Sequence, residues 1–448
     1  LQENYTKIIG KYYSPFKVKK LLDDLDLLIV NNDLQFIEHS VNEIIEGDSI
    51  EIKINVFEGK KLLVEKINII GNTVTDEAVI RAELSLDEGD PFNKLKLDQS
   101  LAKLNSRNLF SEVKSSLSDG SQKDQKIIDI KVEEKATGEI SAGAGLGTNG
   151  GSFAFDVREN NWLGRGIAVT TSLNASKETF SGGLSVSNPN YKFSGNSLNY
   201  YIKNTTNDKP DSGFKNNIIT AGIGTKFEQY NNIYISPRFS ASFDQLKVES
   251  TASDSLKKQK GDFTDLSFGY GILLDERDKV YAPTDGYVSS FSQLLPVYAD
   301  SPYIKNSYGF SKYQALTTDS VGTFKFHAAA INGLNDKDVR LSKRVNLTNR
   351  QLRGFESGKV GPKDGTRFVG GNYTMVSNFE INLPNILPEV TKTDVGLYLD
   401  VGNVWGVDYD QSLDSSNNIR SSAGILTNWI SPIGPMSFVF SQNLSKSD

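Results

Sequence analysis

The sequence predicts an α+β fold in its first third, built from β-α-α-β-β units, followed by an antiparallel transmembrane β-barrel. Three observations lead there. Residues before about position 136 mix helical and strand periodicities, whereas from Glu139 onward apolar residues recur at every second position in short segments separated by polar turns. No run of about 20 apolar residues exists that would serve as a spanning helix. The mean hydropathy of −0.37 agrees with this, because a membrane strand needs apolar residues on one face only.

The elements follow in order. Pro15 opens a helix through about Val30, and Phe36–Ile45 with Ile50–Phe57 read as a hairpin about Glu46-Gly47-Asp48. A reduced helix is expected from about Asn4 to Ile9. Residues 1–60 therefore read as the back part of one unit whose opening strand is missing, and the start at Leu1-Gln2-Glu3-Asn4 suggests processing or truncation. Residues 61–136 read as a complete unit: a strand Leu63–Ile70, a helix capped by Thr75, a helix from about Asn93 to Arg107, and strands near Glu112–Leu117 and Lys126–Glu133. Leu95, Leu97, Leu101 and Leu104 have the spacing to cover a small sheet.

Residues 137–448 form the third region, with room for roughly 14 to 16 tilted strands of about 10 residues. Phe153, Phe155 and Val157 alternate with Ala154, Asp156 and Arg158, and Phe324 and Phe326 with Lys325 and His327. A soluble β-sandwich is the competing architecture. The first strand, Glu139–Gly147, carries Gly143, Gly145 and Gly147 against Ala142, Ala144 and Leu146. Such a strand offers little cross-strand packing, so its seam is expected to open easily.

The candidate site is Leu352-Arg353-Gly354-Phe355, in a polar loop ahead of two membrane-type strands. In Phe379-Glu380-Ile381-Asn382-Leu383 and Val395-Gly396-Leu397-Tyr398-Leu399-Asp400-Val401 the apolar side chains alternate with small or polar ones, so Glu380 and Asp400 face away from the apolar side. If that side meets lipid, both carboxylates point into a lumen, where Arg353 on an infolded loop is placed to bind them by charge-assisted hydrogen bonds. A solvated arginine and two independent carboxylates are the alternative.

Lys+Arg 49 against Asp+Glu 55 gives a formal charge of −6, which provides no field for nucleic acid. Cys 0 excludes thiolate chemistry, and His 2 leaves little from which to build a metal centre or a Ser-His hydrolase. Gly145-Leu146-Gly147-Thr148-Asn149-Gly150 matches the dinucleotide fingerprint literally, but a strand follows it where that motif needs a helix. The reading is a protein without catalytic residues, cofactor or metal.

Taken in order, Leu352-Arg353-Gly354-Phe355, Gly361-Pro362, Gly370-Gly371, Glu380 and Asp400-Val401-Gly402-Asn403-Val404-Trp405 closely resemble the BamA family of outer-membrane barrel-assembly insertases. Asn161–Gly166, Asp275–Asp278 leading to Pro283–Gly286, and Ser431–Pro435 add to the resemblance. It implies that the β-α-α-β-β units are periplasmic POTRA domains and that the barrel is 16-stranded when complete. It also assigns Glu380 and Asp400 as partners of the loop arginine. Leu352 stands where the family usually has Val. The family closes its barrel with a strand ending in an aromatic residue, whereas this chain ends Leu444-Ser445-Lys446-Ser447-Asp448, so the closing strand is expected to be missing.

Implied partners are unfolded outer-membrane protein precursors, accessory assembly lipoproteins and outer-membrane lipid, and the implied location is the bacterial outer membrane. A two-partner secretion transporter, exporting one dedicated protein, is the second reading. A passive porin has no need of the periplasmic units.

Overall fold

The computed structural model describes all residues except 1–5, 7, 11, 32–36, 48, 59–61, 148–149, 281, 318, 384–392, 414, 432–433 and 446–448. It divides into two compact units, Leu1–Glu139 with Arg158–Val169, and Ile140–Val157 with Thr170–Asp448.

In the first unit, the helix Pro15–Asn31 precedes a hairpin of β1 (Ile37–Glu46) and β2 (Ser49–Glu58), paired from Ile37↔Glu58 to Glu46↔Ser49. The Asn4–Ile9 helix lies largely outside the described residues, as does Asp48 of the hairpin turn. Next, β3 (Leu63–Ile70), β4 (Phe110–Asp119) and β5 (Gln125–Glu134) form a sheet in the order β3-β5-β4, with β3 parallel and β4 antiparallel to β5. A parallel pair needs a long crossover, and the helices Glu77–Arg81 and Lys94–Ser106 supply it. Asn93 caps the second helix by accepting from the Lys96 N–H at 3.1 Å. Leu97 and Leu104 are buried with Ile80, Ile128 and Ile130, Leu101 packs partly buried against them, and Leu95 is half-buried.

One expectation fails. The first of these helices is capped at Asp76, not Thr75, and without a side-chain hydrogen bond. The reason is that the preceding turn is already held by Glu134. Its carboxylate accepts from the backbone N–H groups of Thr73 (2.9 Å), Val74 (2.9 Å) and Thr75 (2.6 Å), and from the Thr73 hydroxyl (2.6 Å). The Thr75 hydroxyl instead accepts from Asn161 Nδ2 at 2.9 Å.

Asn161 opens a turn that packs on the same unit. The Asp76 N–H donates to the Gly164 carbonyl at 2.8 Å, and Arg107 Nη2 to the Gly166 carbonyl at 2.8 Å. Gly164 has φ +74, and a Cβ there would sit 2.1 Å from the Val74 carbonyl oxygen, so only glycine fits.

The second unit is dominated by one antiparallel sheet. Its strands are β6 (Gly138–Gly147), β7 (Gly150–Glu159), β8 (Ala168–Ser176), β9 (Thr179–Asn188), β10 (Ser197–Lys209), β11 (Phe214–Tyr230), β12 (Ile233–Ile235), β13 (Arg238–Val248), β14 (Gly261–Asp275), β15 (Gly286–Ala299), β16 (Tyr303–Ala315) and β17 (Val321–Gly333). After the small pair β18 (Lys363–Asp364) and β19 (Arg367–Phe368) come β20 (Tyr373–Asn382), β21 (Thr393–Trp405), β22 (Arg420–Ser431) and β23 (Gly434–Asn443). The order runs from β23 through β20, β17 and their neighbours to β6. β12 and β13 both pair with β11 and β14, so they share one position across the sheet.

One face is apolar and open. Phe239, Phe243, Phe379, Leu397 and Leu399 lie exposed on it, with aromatic contacts such as Phe324–Phe379 at 4.9 Å between ring centroids. The other face receives the long segment between β17 and β20.

Burial opposes ionisation of Glu134, but hydrogen bonds from Thr73, Thr75 and Val74 outweigh it and hold its carboxyl down at about 2. A lowered folded-state value contributes stability above the unfolded value of 4.5, and that contribution is lost as pH falls through about 2. Glu134→Gln is expected to cost about 1 kcal/mol, after allowance for solvent screening. Its effect should fade between those two pH values, as read by amide hydrogen exchange of β3–β5 in the intact protein. An equal cost at pH 7 and pH 2 would contradict it.

Candidate functional site

The segment between β17 and β20 returns across the non-apolar face of the sheet and carries Leu352-Arg353-Gly354-Phe355. Leu352 and Phe355 are buried with Leu347, Val360, Val376 and Val404, so apolar packing seats the tip against β20 and β21. Gly354 has φ +86, and a Cβ there would lie 2.4 Å from Asn443 Oδ1 and 3.1 Å from Ser441 Cβ. Both the conformation and the close approach to β23 demand glycine.

Seating the tip brings Arg353 onto two carboxylates. Its Nε and Nη2 donate to Asp400 Oδ2 and Oδ1 at 2.7 and 2.5 Å, its backbone N–H donates to Asp400 Oδ2 at 3.0 Å, and its Nη1 donates to Glu380 Oε1 at 2.6 Å. The Asp400 contact is bidentate, a geometry only the guanidinium fork provides. Register explains why the carboxylates point inward. Asp400 lies opposite Asn378 and Ser422, and Glu380 opposite Tyr398 and Thr323, while their sequence neighbours Phe379 and Leu399 stand on the apolar face.

Asp400 is 0% exposed, so its charge must be matched locally. Asn378 Nδ2 completes its shell at 2.8 Å and also donates to the Gln351 carbonyl at 2.7 Å. Lys325 Nζ reaches Glu380 Oε2 at 2.8 Å, the Arg353 guanidinium lies 3.8 Å from the centroid of the Tyr398 ring, and the Ser422 hydroxyl donates to the Arg353 carbonyl. The sequence assigned none of Asn378, Lys325, Tyr398 and Ser422 to the site. Lys325 was accessible by the same parity argument, since it alternates with Phe324 and Phe326.

Gly143, Gly145 and Gly147 are not part of this cluster. They lie on β6, one end of the strand order, with β23 at the other. A Cβ on Gly143 would meet nothing within 4 Å, and one on Gly145 would meet Ser152 Oγ at 3.1 Å. Thr148 and Asn149 of the literal dinucleotide fingerprint, and Pro432 and Ile433 of the Ser431–Pro435 motif, lie outside the described residues. β7 follows that fingerprint as a strand. His327 pairs with Val376 and so faces the arginine side. Among the described residues no group of three or more potential metal ligands occurs.

Comparison with known proteins agrees with this architecture. Residues 161–448 match the Omp85 superfamily domain, and residues 62–135 match the POTRA family, described as a surface antigen variable number repeat. The chain is 25% identical over 398 residues to the outer membrane protein assembly factor BamA of Neorickettsia risticii (strain Illinois), covering 86% of this chain and 53% of that protein. It spans about half the length of the curated relatives it matches.

The crystal structure of BamA from Haemophilus ducreyi lacking POTRA domains 1–3 superposes with a TM-score of 0.74 at 22% identity, covering 98% of this chain and 92% of that one. CdiB from Acinetobacter baumannii gives 0.59 at 12% identity, covering 98% and 81%. With a POTRA unit ahead of a barrel sheet, and an Omp85 match across more than half of its length, the chain belongs to the Omp85 superfamily.

Proposed function

We propose that this chain belongs to the central component of the outer-membrane protein assembly machinery, which binds unfolded β-barrel precursors and folds and inserts them through a lateral seam. The barrel lies in the bacterial outer membrane with its POTRA units in the periplasm. We assign residues 1–60 to a partial POTRA domain, 61–136 to a complete one and 137–448 to the barrel.

The observation that carries the reading is β6. It ends the strand order, it is glycine-rich, and Leu146 on it is 94% exposed. A strand whose outer edge is free of side-chain packing presents backbone N–H and C=O groups to an incoming strand, which otherwise crosses lipid with those groups unsatisfied. Insertion is then templated pairing and needs no covalent chemistry, catalytic residue or cofactor. Edges of the β3-β5-β4 sheet offer the same pairing to precursors or accessory lipoproteins in the periplasm. The names of the curated relatives favour this reading over a dedicated secretion transporter.

The role given to Arg353 is to hold the infolded loop so that the barrel keeps its working shape. Arg353→Ala leaves buried Asp400 without its counter-charge, at an expected cost of about 3–5 kcal/mol. Arg353→Lys should restore less than half, because an ammonium cannot reproduce the bidentate contact. The temperature at which the folded barrel loses its compact electrophoretic mobility checks both. Unchanged heat resistance in Arg353→Ala would refute the role.

Because the chain has no cysteine, the seam can be locked cleanly. In a version that carries the closing strand, Gly145→Cys combined with one cysteine in that last strand should, once oxidised, stop insertion of precursors into liposomes, and reduction should restore it. Insertion at the normal rate by the locked protein would exclude lateral opening. Depletion in the host separates the two functions: assembly predicts a broad fall in unrelated barrels, export the loss of one secreted protein.

A further inference from the structure

The loop that carries Arg353 meets the sheet a second time, at a place unrelated to the Leu352–Phe355 tip. On β13 and β14, Asp244 and Asp265 alternate with Phe243 and Leu266 of the apolar face, so they project toward the loop, and both are buried. Arg340 Nη2 donates to Asp265 Oδ2, and its guanidinium lies 4.4 Å from the centroid of the Phe263 ring. Lys343 Nζ stands 3.6 Å from a carboxylate oxygen of each aspartate, and the Ser342 hydroxyl donates to Asp244 Oδ2 at 2.8 Å. Two buried carboxylates thus face two cations from one short stretch of loop, and the charges balance where water is scarce.

The two contacts fall on different parts of the wall. Arg353 holds β20 and β21, whereas Arg340 and Lys343 hold β13 and β14, and β15, β16 and β17 lie between them in the strand order. Five inter-strand steps separate β14 from β21, roughly 24 Å along the sheet at about 4.8 Å per step. A tip held only by Arg353 would leave the preceding loop residues free, yet Leu341 is buried and its N–H donates to Gln259 Oε1 at 2.8 Å.

We infer that Arg340 and Lys343 are positioning residues that form a second, separate anchor, making the loop a crossbar fixed at both ends between distant strands of the barrel. The two anchors are built differently: Arg353 gives three side-chain hydrogen bonds to carboxylates, whereas the far anchor combines one from Arg340, one from the Ser342 hydroxyl and two longer ion pairs from Lys343. This inference concerns the barrel itself and stands whether or not the assembly reading holds.

Single-cysteine reporters in the intact chain, folded in detergent micelles, test it through the rate of maleimide labelling. Leu341→Cys reports the far anchor and Leu352→Cys the near one. Adding Arg340→Gln should speed labelling of the Leu341→Cys reporter at least tenfold and leave that of the Leu352→Cys reporter within twofold. Asp265→Asn should act alike, and the double variant should add nothing to either single change, because both remove one interaction. The exchanged pair, Arg340→Asp with Asp265→Arg, should return protection toward the parent value.

Labelling of the Leu341→Cys reporter at the parent rate in the folded Arg340→Gln protein would overturn the inference. So would a parallel rise at both reporters, which would mean a single lock. If Arg340→Gln fails to fold, Lys343→Gln removes charge without removing a hydrogen bond and should still speed the Leu341→Cys reporter about threefold; no change there would equally overturn it.

Discussion

A carboxylate with no exposed surface cannot stay charged beside an apolar wall unless something fixed and positive reaches it, and Asp400 is in that position. The guanidinium of Arg353 answers it with two hydrogen bonds from the side chain and a third from its own backbone N–H. Several other features follow from meeting this requirement. The loop must fold onto the inner face, Gly354 must turn with φ +86 against β23, and Leu352 and Phe355 must find an apolar seat. Tyr398, Asn378 and Lys325 then complete a polar network in which each charged group has a partner.

The same logic recurs along the loop. Arg340 and Lys343 meet Asp265 and Asp244, while Arg344 reaches Asp408 beyond β21, so each of three neighbouring cations is matched to a carboxylate on another element. In this interior cations and carboxylates meet in close groups, with Lys343 shared between Asp244 and Asp265. By contrast, four of the ten positions of β6 are glycine and offer no side chain to hold a neighbour.

Much of this was legible in the residues. Period-two patterning placed the strands from Glu139 onward, and the parity of Phe379 and Leu399 sent Glu380 and Asp400 to the face where Arg353 meets them. Helical spacing identified the Lys94–Ser106 helix, whose Leu97 and Leu104 are buried. Local signals failed where a distant group intervened. Thr75 looked like a cap, but Glu134, 59 residues away, had already claimed the turn's backbone donors. Asp244 and Asp265 have the same inward parity as Glu380 and were passed over because no motif stood next to them.

By itself the sequence determined which face of each strand a side chain occupies, because alternation is a property of the extended backbone and needs no knowledge of neighbours. Which inward residue meets which was decided only by tertiary structure. Register and loop path, set by packing across the whole sheet, bring Arg353 to Asp400 over 47 residues and Arg340 to Asp265 over 75. Charge pairing acts over a few ångströms, and no spacing along the chain encodes which strands lie that close.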